Sequence, residues 1–213
     1  MDKLTGLAWA ALLIAMIGDI LVSVTLPAMY KGYDIKKDSI SALGNPESPV
    51  RRVFNLWMLI EGLLFLLALP AVFGYYRNIS LGLTITTVIF IAVFAVGACI
   101  LTCFFSVNKD KDVVTTASKI HGAGSVTGFM LFLFVPLLVA ILSFKGQDKA
   151  TGIISVISFI IALVFFALFV MSDKPEFKKT FVNNEGLWQR LNLLFMYLPL
   201  AVVAVKNIAG LIK

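Results

Sequence analysis

The chain has 213 residues, 60% of them hydrophobic and 14% charged, a balance far outside that of water-soluble domains. Its net charge of +6 comes from 18 basic against 12 acidic residues. In so apolar a chain that excess sets orientation and meets lipid headgroups, which argues against nucleic acid as a partner and for membrane lipids.

Each hydrocarbon crossing takes ~20 apolar residues, and six stretches reach that length: Leu7–Met29, Val53–Tyr75, Leu81–Phe105, Gly124–Phe144, Thr151–Ser172 and Leu191–Ile212. The expectation is an all-α, polytopic membrane protein: residues 1–213 form a single six-helix transmembrane domain in the cell membrane, both termini on the same side. The first stretch is longer than a secretory h-region and no small-residue cleavage site follows it, so it is expected to stay as a helix. Asp19 lies within it, ten residues before its end, with Ser23 one turn further on.

The loop after it is long and polar, reading Asp38-Ser-Ile-Ser-Ala-Leu-Gly44 and then Asn-Pro-Glu-Ser-Pro up to Phe54-Asn55. Its Ser, Asn and Asp residues can bond local backbone, and Pro46 and Pro49 stiffen it. In the second stretch Glu61 lies eight residues from the start. At ~1.5 Å per residue, Asp19 and Glu61 sit at a similar depth, ~12–15 Å below the long-loop surface. An isolated carboxylate there costs ~3 kcal/mol, so each acid is expected to face the bundle interior, protonated or paired.

The third stretch holds both cysteines, Cys99 and Cys103, one turn apart and unable to form an ordinary disulfide. With His121 and a carboxylate they could make a Cys₂His metal set, but buried cysteine commonly serves as a small hydrophobe. A single histidine cannot make bis-histidine haem. No metal and no cofactor are expected. His121 precedes the fourth stretch, at the membrane face on the long-loop side.

Gly124 and Gly128 form a G-x-x-x-G in the fourth stretch, and Ser155, Ser158 and Ala162 line a face of the fifth. Such stripes pack helices closely within a chain, or dock a partner membrane protein. Pro70, Pro136 and Pro199 lie inside stretches and predict kinks. Asp173-Lys-Pro-Glu176 reads as a helix start, with Phe177 and Phe181 following at i,i+4, which predicts a short helix on the membrane surface.

Loops after the first, third and fifth stretches are long, and the other two are tight. The long-loop side carries twelve Lys and Arg, Lys111 included, and the terminal side six, Lys213 included. That count places the long loops in the cytoplasm. The long loops also hold eight acids against two, leaving +4 on each side.

Ser41-Ala-Leu-Gly44, then Pro46, then Phe54-Asn55 opening a span, with the lone His121 and the Gly186-Leu-Trp-Gln-Arg190 approach to the last span, resembles a bacterial integral-membrane family catalogued as domain of unknown function nine-nine-eight. The resemblance covers nearly the whole chain. It departs at the end of the third span, where Phe104-Phe105-Ser106 stands in place of an aromatic-proline pair. A more distant resemblance, through Ile40-Ser41 and Pro46-Glu-Ser48, is to the FRAG/DRAM/Sfk membrane proteins. It implies a lipid-related role and puts the motif loop on the outer or lumenal side, opposite to the lysine count.

These residues suggest a polar pocket open to the long-loop side, with Asp19 and Glu61 as floor and Asp38, Ser41, Asn55, His121 and Arg190 as rim. Lys119 and Asn192 are also within reach of its mouth. The expected ligand is a lipid or isoprenoid-like amphiphile, bound and, in an enzymatic reading, modified. In an enzyme, a lipid hydrolase or transferase, Ser41 (or Ser39) would be nucleophile, His121 base and Asp38 its orienting acid, although no nucleophile-elbow spacing supports this set. The alternatives are a proton-coupled small-molecule transporter with Asp19 and Glu61 titrating, and an accessory subunit docking through Gly124 and Gly128.

Overall fold

A computed structural model describes residues 3–110 and 112–212, with side chains through Gly210. Lys111 and Lys213, counted above toward orientation, lie outside the described residues. Among the described residues every regular element is helical. Six helices are long and apolar enough to cross a membrane: α1 (Lys3–Met29), α2 (Arg51–Tyr76), α3 (Leu81–Phe104), α4 (Thr116–Lys145), α5 (Lys149–Ser172) and α6 (Glu185–Ile212). The protein is a multi-pass membrane protein, and its even number of spans puts both ends of the chain on one face.

α1 packs between α2 and α6, α2 continues onto α3, α3 onto α4, and α5 closes the bundle against α6 and the second half of α4. α5 is peripheral: only 17% of its apolar window is buried, against 39–44% for the others. Lipid supplies no hydrophobic drive for helices to associate, so close backbone approach and internal polar bonds must do so. On the terminal face Asp148 caps α5, and Lys206 of α6 grips its carboxylate at 2.7 Å.

Every spanning helix but α3 begins earlier than the apolar pattern suggests, and three of these shifts bear on the site. α4 starts at Thr116, eight residues ahead of Gly124, because Thr115 and Ser118 form a reciprocal capping box. His121 and Lys119 are therefore helical, and His121 is buried at 4% exposure instead of sitting at the membrane face. α2 begins at Arg51 and α6 at Glu185, which draws Gly186–Arg190 into the first turns of α6. The surface helix expected from Asp173 does not form: α5 runs to Ser172, so Asp173 ends a helix, and only one 3-10 turn follows (Pro175–Phe177).

Pro136 breaks α4 at Leu133–Phe134, because it lacks the N–H that the Phe132 carbonyl would otherwise receive. α3 contains a π-helical segment, Ala95–Ile100. There α3 and α4 meet backbone to backbone: a Cβ on Gly97 would lie 2.5 Å from the Gly124 carbonyl oxygen, and one on Gly124 2.7 Å from that of Gly97. Gly128 faces Ala98 and Phe94 of the same segment. The G-x-x-x-G considered for docking a partner is thus filled from within the chain.

A candidate proton site between α1, α2 and α6

The first loop is held down by the start of α6. A Cβ on Gly186 would collide with the Asp38 carbonyl, so glycine lets the loop lie directly on the helix. The Leu187 amide donates to the Lys36 carbonyl (2.9 Å), and Gln189 Oε1 accepts from the Ile40 amide (2.7 Å). Arg190 is buried, and its guanidinium donates to the carbonyls of Ser23, Ile35, Asp38 and Gly186 and to the Tyr33 hydroxyl. The Ser23 carbonyl is available because Pro27, four residues on, has no N–H to offer it. Burial lifts the Tyr33 phenol above its ordinary range against the pull of Arg190. The phenol therefore stays neutral, and its one proton serves the Ser39 carbonyl at 2.9 Å, with the Asp38 carbonyl next to it at 3.1 Å. Arg190, expected on a pocket rim, is a clamp joining α1, the loop and α6.

Beneath that clamp Asp19 and Glu61 converge, 4% and 1% exposed. Tyr197 of α6 stands between them, its hydroxyl 2.9 Å from Asp19 Oδ2 and 3.3 Å from Glu61 Oε1. The Cys99 thiol of the π segment lies against Glu61. Gly62 permits this contact, since a Cβ there would lie 2.8 Å from the Ala95 carbonyl oxygen and 3.2 Å from Cys99. Glu61 Oε2 is buried with no hydrogen-bond partner.

Asp19 and Glu61 also line a cavity of about 30 Å³, room for a water or two. Its walls include Phe54, Met58, Phe94, Phe129 and Leu193, and its polar lining adds Ser41, Thr102, Ser125 and Gln189. Phe65, Phe94 and Phe132 ring Tyr197 with centroid distances of 5.7–6.2 Å. Phe65 of α2 and Phe132 of α4 lie toward the terminal face.

The remaining expected rim residues are dispersed. Ser41 reaches the cavity wall. The Asp38 carboxylate accepts from the Asp34 amide (2.7 Å) and shapes its own loop. Asn55 lines a separate open recess with Pro46, Ser48, Pro49, Arg51 and Arg52, and its Oδ1 would crowd any Cβ on Gly44. His121 contacts the Phe105 carbonyl through Nδ1 (3.0 Å) and the Ser125 hydroxyl through Nε2 (3.3 Å). No hydrogen bond joins Asp38, Ser41 and His121, and both ring nitrogens have other partners. Lys119 is exposed, while Asn192 is fully buried with both amide atoms unpartnered. Cys99, Cys103 and His121 do not assemble, and no group of three or more His, Cys, Asp or Glu among the described residues could hold a metal ion.

Tyr197, Gln189 and Ser125 were not anticipated as site residues. Gln189 lay within the Gly186–Arg190 motif. Tyr197, a hydroxyl deep in an apolar helix, was the available signal for the acids' partner.

Residues 7–206 match the model of a family described as protein of unknown function, DUF998. No curated protein and no solved structure matches the chain.

Proposed function

The chain belongs to the DUF998 family, and we propose that it is a proton-linked carrier of the cell membrane whose loading site is the Asp19–Tyr197–Glu61 set. The observation that carries this reading is the single phenol between two buried carboxyls. Tyr197 has one hydroxyl proton and can donate to only one of them. The second contact is a hydrogen bond only if that carboxyl carries a proton and donates to the phenol oxygen. Two charged carboxylates side by side in the hydrocarbon would each bear the full intramembrane cost as well as mutual repulsion. The set therefore holds at least one exchangeable proton, next to a cavity with room for the water that delivers it.

Infrared titration of the protein in lipid nanodiscs tests this. A protonated-carboxyl band is expected at neutral pH, lost in Glu61→Gln and displaced in Asp19→Asn. A wild-type spectrum without that band sinks the proposal.

The cavity's apolar walls favour a second reading, in which the pocket widens to take a small amphiphile with its polar end toward the acids. Native mass spectrometry after mild detergent extraction should then show an adduct that Phe129→Trp removes. Bare protein mass in the wild type would dismiss it. The separation of Asp38, Ser41 and His121 gives hydrolysis or transfer no assembled machinery.

A further inference from the structure

We propose that Ser125 and His121 form a proton relay joining the acid pair to the long-loop face. This rests on the loading-site reading above and adds the route. Ser125 lines the same small cavity as Asp19 and Glu61, and its hydroxyl meets Nε2 of His121 one turn nearer the long loops. The other ring nitrogen meets the Phe105 carbonyl at the end of α3. A carbonyl only accepts, so Nδ1 carries the ring hydrogen, and Nε2 is left to accept from Ser125. Ser125 thus links the cavity, which has room for water, to the imidazole.

The step conserves protons. Outward transfer passes a proton from Glu61 through water to Ser125, whose own hydroxyl proton moves to Nε2. The imidazolium then breaks its bond to the Phe105 carbonyl and passes the Nδ1 proton to water from the loop side, and a water-mediated tautomer shift resets the ring. Asp19, Tyr197 and Cys99 face Glu61 from α1, α6 and α3, and Arg190 acts on Asp19 through its charge. Among the described residues no charged side chain hydrogen-bonds to His121.

The test is the rate at which the buried carboxyl band shifts when nanodisc-embedded full-length protein is flushed from H₂O to D₂O. His121→Gln keeps a donor for the Phe105 carbonyl but cannot carry a proton. It should slow the shift at least tenfold with the band in its wild-type position, and added imidazole should restore the rate. Ser125→Ala, which needs no repacking, should slow it as well. Wild-type rates in either variant, or slowing in His121→Gln that imidazole does not relieve, overturn the relay and leave the loading site standing. A wild-type protein with no such band overturns both.

Discussion

Arg190 places a cation inside the membrane boundary with carbonyls as its main partners, and each bond can be traced to a residue that made it necessary. Pro27 leaves the Ser23 carbonyl without an amide, and Arg190 supplies two donors to it (3.1 and 2.9 Å). A buried acceptor left unsatisfied costs about 1–3 kcal/mol. Arg190→Ala, which strands the Ser23 and Ile35 carbonyls, should therefore lose about 3 kcal/mol or more of stability, read from unfolding midpoints in a denaturing-detergent titration. In a Pro27→Ala background the restored amide can reach the Ser23 carbonyl, and the loss should shrink by about 1 kcal/mol. Equal losses in both backgrounds would show that the proline does not create this dependence. At this scale the sequence was informative where chemistry clashed with environment. Asp19 and Glu61 stood out because charge in hydrocarbon is costly. Arg190, at a span's edge, gave no such clash, so its role as a clamp and not a rim residue depended on where the loop lay.

Helix ends were the least legible feature: the cap read at Asp173 starts no helix, and the caps that do start helices went unread. Thr115 and Ser118 mark the start of α4 in the sequence, yet apolar content alone put the boundary at Gly124, and that shift decides whether His121 is a surface residue or a buried one. The π segment of α3 left no readable mark. It depends on Gly97 and Gly124 allowing two backbones to touch, a contact between segments distant in the chain. Gly97→Ala should force α3 and α4 apart and cost at least about 2 kcal/mol, in the range of overpacked interiors. Gly122→Ala, whose Cβ would meet nothing within 4 Å, should instead be neutral or stabilise by up to about 1 kcal/mol, as glycine replacement in a helix does. Matching thermal shifts for the two variants would contradict the close-contact account.

Topology was the most legible level, because six apolar stretches in 213 residues leave little freedom of architecture. Which faces turn inward was not, since rotation about each helix axis is set by contacts that no single stretch encodes. The bundle that results is asymmetric along its axis. Cavity hydroxyls and a loop clamp stand on the long-loop side of the acid pair, and aromatic rings surround Tyr197 beside it. With the pair ~12–15 Å below the long-loop surface of a ~30 Å hydrocarbon layer, a proton arriving from that side crosses roughly two-fifths of the transmembrane field. One elementary charge across the whole field is worth ~2.3 kcal/mol per 100 mV. Occupancy of the acid pair is thereby tied to voltage by about 1 kcal/mol per 100 mV, so an energised bilayer and a collapsed one fill the site to different extents at the same pH.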